Sequence, residues 1–223
     1  MSAPAYGSLL LFAIAAVFHL VSCFWKDAKY ADLSKPLLMP LLALTAVLSL
    51  IPAAAPVSTV VLVTLALIAA TAGDVLLLDA SKWRFIAGTI CFFAGHVFYL
   101  CLFAPAIAHI APWSWAIFIP VALAFTYASW TTINKPTGIS GIFIVVYTLI
   151  LCTMVYSGVA GIISHYTAGS LFVLLGSLLF IASDGILSLT LFKKDFYPSR
   201  FVIMATYIAA EALLVYGACC QYC

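Results

Sequence analysis

Charge is what this sequence has least of. Asp, Glu, Lys and Arg together make up 7% of its 223 residues, against about a quarter in an ordinary soluble domain. The net charge of +2 comes with no basic cluster, which excludes the electrostatic footprint of a nucleic-acid binder, so no nucleic-acid partner is expected. Polar stretches long enough to form a soluble domain are missing as well. There is no G-x-S-x-G elbow and no Ser-His-Asp spacing, which argues against a serine lipase. No ligand-spaced His or Cys motif is present either, so neither a metal nor a cofactor is expected.

What is abundant is apolar: 66% of the residues, in runs that recur from end to end. A bilayer core takes roughly 20 apolar residues per helical span, and open strands leave backbone groups unpaired in lipid. The expected fold class is therefore an all-α integral membrane protein, a bundle of eight transmembrane helices. The first run, 6 to 25, has no basic residue ahead of it and no A-x-A site after it, and is read as a mature span from which nothing is cleaved. Pro, Gly and charge punctuate the rest, giving helices at about 6–25, 37–53, 57–78, 85–105, 112–131, 138–163, 168–192 and 199–219. Pro40 and Pro52 leave the extent of the second open.

Basic residues fall only in alternate connections: Lys26, Lys29 and Lys35; Lys82 and Arg84; Lys135; then Lys193, Lys194 and Arg200. By the positive-inside tendency these face the cytoplasm and both termini face outward. The second half also echoes the first. WKDAKYADLSKP ends at Lys35 and Pro36, and WTTINKP ends at Lys135 and Pro136; Asp74 is answered by Asp184, and His96 approximately by Glu211. Four helices per unit imply parallel repeats, 1–105 and 106–223, within one transmembrane domain.

Ionisable residues inside spans cost several kcal/mol, by estimates from about 2.5 upward, and normally face the bundle interior or a wet cavity. Asp74 sits in TAGDVLLL and Asp184 in IASDGILSL, with Ser177 and Ser188 on the face of Asp184. Glu211 has Tyr207 one turn before it, and His96 shares a small-residue stripe with Gly88, Gly95 and Tyr99. Each has a plainer reading. A carboxyl bonds across helices to a hydroxyl, a neutral His is a serviceable interhelical donor, and Lys35 is a topology marker. His19, His109 and His165 lie near span ends or in loops, and Asp27, Asp32, Asp79 and Asp195 read as solvated loop charges. Cys23, Cys91, Cys101 and Cys152 behave as small hydrophobes, and CQYC, with Cys220 and Cys223 next to Cys219, is a weak redox signal. Zinc on Asp74, His96, Asp184 and Glu211 is disfavoured by the single intramembrane His.

SKPLLMPLLAL at 34–44, GDVLLL at 73–78, GHVFYL at 95–100 and SDGILSL at 183–189, in this order across eight spans, resemble the YhhN-like family of membrane proteins, whose characterised animal members are lysoplasmalogenases. The resemblance implies hydrolysis of the vinyl-ether bond of a lysoplasmalogen to a fatty aldehyde and a glycerophospho-headgroup, with Asp74 and Asp184 matching the family's essential aspartates. The expected location is multi-pass in a bacterial inner membrane, with the bilayer and a lysophospholipid substrate as partners; the oligomeric state is open.

The chemistry fits. Protonation of a vinyl ether's β-carbon leaves an oxocarbenium ion that water captures, and two carboxyl groups suit the two steps, as in glycoside hydrolysis. Asp184, deeper in its helix, is the expected acid, and Asp74 the ionised base and cation stabiliser, though the roles are open to exchange. Lys35 is placed to hold the phosphate, and His96, Tyr99, Ser188, Tyr207 and Glu211 complete the expected substrate-binding set. The alternative is a proton-coupled small-molecule or lipid transporter, which also places carboxylates in a repeat-built bundle.

Overall fold

Hydrocarbon offers a backbone N–H no partner, so each apolar run has to close its own hydrogen bonds, and within one segment only a helix does so. The computed structural model describes residues 3–79, 81–164 and 167–222, except the side chains of Lys82 and Ser140; His165 and Cys223 lie outside the described residues. It consists of α1 (Ala3–Phe24), α2 (Ala28–Leu50), α3 (Val57–Leu76), α4 (Lys82–Phe103), α5 (Trp115–Thr132), α6 (Gly138–Ser164), α7 (Ala168–Phe192) and α8 (Ser199–Cys219). Two short 3-10 turns, Ala104–His109 and Pro112–Ser114, lead from α4 to α5. Among the described residues there is no strand, and eight helices are long and apolar enough to cross a membrane. The chain is an all-α, multi-pass membrane protein.

α2 departs most from expectation. It starts at Ala28 instead of 37 and runs through Pro36 and Pro40 to Leu50, leaving Pro52 in the turn beyond. Asp27 caps it by accepting the Tyr30 N–H at 3.4 Å. The two prolines supply no N–H to the carbonyls one turn back, a loss that membrane helices tolerate when neighbours re-satisfy the freed groups. As a result Lys35 lies inside the helix, about two turns from its start, and faces α3.

Consecutive helices pack on small residues, which in lipid take over the part that apolar burial plays in water. A Cβ on Gly95 of α4 would stand 3.2 Å from the Ala66 carbonyl oxygen of α3, and one on Gly176 of α7 would stand 3.0 Å from the Ala210 carbonyl oxygen of α8. Ala66 precedes Asp74 by as many residues as Gly176 precedes Asp184, and the residues after Gly95 and Ala210 are His96 and Glu211. Across the halves, α4 meets α6 and α8 meets α2. The shared register supports the proposal of two four-helix repeats.

At one end of the bundle Tyr197 donates to the Phe24 carbonyl at 3.0 Å, Lys193 donates to Asn134 Oδ1 at 3.4 Å, and Arg200 pairs with Asp32. These contacts draw together the connections that carry Lys26, Lys135, Lys193 and Lys194. At the other end Thr59 and Tyr222 share a hydrogen bond of 3.0 Å.

Candidate active site

Asp74 stands in the last turn of α3 and is 1% exposed. A buried carboxylate needs a counter-charge and donors. Lys35 Nζ approaches Oδ1 at 3.3 Å, and the Tyr207 hydroxyl of α8 donates to Oδ2 at 3.0 Å. Among the described residues nothing gives Oδ1 an aligned hydrogen bond, so it keeps acceptor capacity beside the ammonium. Gly73, the preceding residue, lets the Phe92 ring press against α3, where a Cβ would come within 2.8 Å of it.

Asp184 stands in mid-α7, about 12 Å from the helix end at 1.5 Å per residue. The Tyr147 hydroxyl of α6 donates to its Oδ2. Among the described residues no cation pairs with it. Its side chain is half-buried, and the next residue, Gly185, is exposed with nothing within 4 Å of a Cβ placed there. Depth along the helix pointed to Asp184 as the more enclosed aspartate. Packing makes it Asp74, because α2, α4 and α8 close over α3 whereas one flank of α7 stays open.

Glu211 is a third carboxyl inside the bundle, 2% exposed, to which Tyr99 donates at 2.8 Å. Tyr207, one turn before it on the same helix, serves Asp74 instead. Between the two aspartates runs a chain of rings. His96 meets Phe180 edge-on at 4.1 Å and Tyr147 at 5.6 Å, and Phe180 in turn meets Tyr207 at 5.6 Å.

The structure thus brings Lys35, Asp74, His96, Tyr99, Asp184, Tyr207 and Glu211 into one connected group. Ser188 lies one turn beyond Asp184, half-buried, and no hydrogen bond joins it to the carboxyl. Tyr147 belongs to the group and was not singled out in the sequence; a hydroxyl in the middle of the apolar run IVVYTLI was its only signal. His19 is a satisfied core residue, bonded to Ser34 at 2.9 Å and Cys23 at 3.4 Å. Asp79 pairs with Arg84, and Asp195 accepts from Ser199, at the bundle's end. Among the described residues no three of His, Cys, Asp and Glu group so as to hold a metal ion.

Three carboxyls lie inside this membrane helix bundle, each accepting a hydrogen bond from a tyrosine hydroxyl, and ionisable groups at that depth mark a candidate functional site. The chain belongs to the YhhN family, whose profile matches residues 30–218, almost all of α2 through α8. Comparisons with curated proteins and with solved structures gave no match.

Proposed function

We propose that the protein hydrolyses the vinyl-ether bond of lysoplasmalogens, releasing a fatty aldehyde and a glycerophospho-headgroup. The observation that carries this reading is the contrast between the two aspartates: Asp74 faces a lysine ammonium, and Asp184, among the described residues, is bonded to a phenol hydroxyl with no cation beside it. The first is a carboxylate with its counterion in place, and the second is a carboxyl free to carry a proton. Asp184 protonates the β-carbon of the alkenyl chain. The resulting oxocarbenium ion takes up water at its α-carbon, and Asp74 accepts the water proton. Collapse of the hemiacetal returns the Asp74 proton to the departing glycerol oxygen and gives the hemiacetal hydroxyl proton to Asp184, so both groups end as they began and one water is consumed. General acid catalysis of this kind contributes about 10² to 10⁴ in rate.

The open flank at Gly185 supports entry from the lipid side, with the alkenyl chain lying along apolar helices and its ether end reaching Asp184. Tyr147 and Tyr207 orient the two carboxyls, and Lys35 is assigned to Asp74 before any phosphate.

Purified protein in detergent, given a 1-alkenyl-lysophospholipid, is expected to release aldehyde and glycerophospho-alcohol in equal amounts with no gradient applied. Transport of the lipid in sealed vesicles without aldehyde would replace this reading with that of a proton-coupled transporter.

A further inference from the structure

His96 is 3% exposed, and its Nδ1 lies 2.6 Å from the Phe92 carbonyl oxygen. A carbonyl only accepts, so Nδ1 carries the hydrogen, and in the neutral ring Nε2 is left as a bare acceptor. Among the described residues nothing donates to it. A buried acceptor without a donor costs free energy, which makes such an atom a request for a ligand that carries an O–H or N–H. Flat rings flank the imidazole: Phe180 edge-on at 4.1 Å, and Tyr147, whose hydroxyl holds Asp184, at 5.6 Å. His96 and the proposed acid thus share Tyr147 as a neighbour.

A lysoplasmalogen has one hydroxyl, at sn-2, three bonds from the vinyl-ether oxygen. Resting on the hydrolase reading above, we propose that His96 Nε2 accepts the hydrogen bond of the free sn-2 hydroxyl and so selects the lyso form of the lipid. An ester at sn-2 has no proton to offer and places a carbonyl carbon where the apolar rings close in, so it is refused both by the unpaired acceptor and by volume. His96 thereby sets specificity, while the aspartates do the chemistry.

Binding decides this apart from turnover. A 1-O-alkyl-lysophospholipid has no vinyl group to cleave, and its 2-deoxy analogue lacks only the hydroxyl. Calorimetry on the protein in lipid nanodiscs is expected to show the 2-deoxy ligand binding the wild type roughly 10- to 100-fold more weakly, the span of one buried acceptor left unpaired. His96→Phe, which keeps a flat ring and removes the acceptor, is expected to bind both ligands alike, at the weaker level. Equal affinity of the wild type for the two ligands overturns the proposal even if the variant fails to fold. A preference retained in His96→Phe, or no binding of either lipid to the wild type, overturns it as well. Aldehyde release from the 1-alkenyl-lysophospholipid, measured on the same preparation, reports separately on the hydrolase reading: aldehyde without discrimination sinks only the role of His96, and discrimination without aldehyde sinks only the hydrolysis.

Discussion

Lys35 on α2 and Asp74 on α3 form an ion pair, Nζ to Oδ1 at 3.3 Å, in which the aspartate is 1% and the lysine side chain 13% exposed. Removing one member of a buried pair leaves the other charge uncompensated, at a cost of about 3 to 5 kcal/mol, whereas removing both costs far less. Lys35→Met is expected to lower the unfolding temperature in detergent markedly, and the double variant Lys35→Met with Asp74→Asn to recover most of the loss. The pair also sets the kinetic signature of Lys35→Ala. If the lysine serves Asp74, kcat falls more than KM rises; a rise in KM alone is the pattern of lost uniform binding and would return Lys35 to the phosphate.

Tyr147 and Tyr207 reach their aspartates from different helices, so each carboxyl is oriented from outside its own helix. Asparagine keeps an oxygen for the tyrosine proton but neither gives nor takes one. Asp74→Asn and Asp184→Asn are each expected to lose at least about 10²-fold in kcat, the low end of general acid–base catalysis, while still binding a 1-O-alkyl-lysophospholipid. Glu211→Gln, which also keeps an acceptor for Tyr99, is expected to lose less. Aldehyde release near the wild-type rate from either folded Asp→Asn variant would remove the two-carboxyl mechanism.

The eight spans were legible because lipid imposes a length on each and the basic residues mark every second connection. The start of α2 was not. Pro36 reads as a boundary under the rules of water-soluble helices, and only the Asp27 cap and the neighbouring helices make a helix through it favourable. Asp74, Asp184, Glu211 and His96 stood out because charge at that depth is expensive. Which hydroxyl meets which carboxyl was hidden, since Tyr207 precedes Glu211 by one turn yet bonds across to Asp74, and Tyr147 lies in an unremarkable apolar run. Those pairings depend on how α6, α7, α8 and α3 lean on one another, which no single helix encodes.

Gly158 brings α6 against α7 so closely that a Cβ would stand 2.7 Å from Leu174 Cα and 2.8 Å from its amide nitrogen. Backbone cannot rotate away as a side chain does. Gly158→Ala is expected to cost about 1 to 3 kcal/mol, as overpacking does, and to lower the unfolding temperature. Because α6 carries Tyr147, activity is expected to fall with it. Gly185→Ala, on the open flank of α7, meets nothing and is the matched control. Equal unfolding temperatures for the two variants would show that α6 and α7 do not close as described.

The hydrogen bonds from Tyr197 to Phe24 and from Lys193 to Asn134, with the Arg200–Asp32 pair, gather three of the four basic connections at a single end of the bundle, and the bond between Thr59 and Tyr222 marks the opposite end. Lys and Arg near span ends are retained on the cytoplasmic side, so we propose that this end faces the cytoplasm and that both termini lie outside. In a cysteine-free background, Thr137→Cys, exposed beside Lys135, is expected to resist a membrane-impermeant maleimide in sealed cells. Ala54→Cys, in the exposed turn after α2, is expected to react, as are tags at either terminus. Labelling of Thr137→Cys with protection of Ala54→Cys would invert the bundle. It would also put Asp74, close to the end of α3, at the outer leaflet, the side from which the proposed substrate would then have to enter.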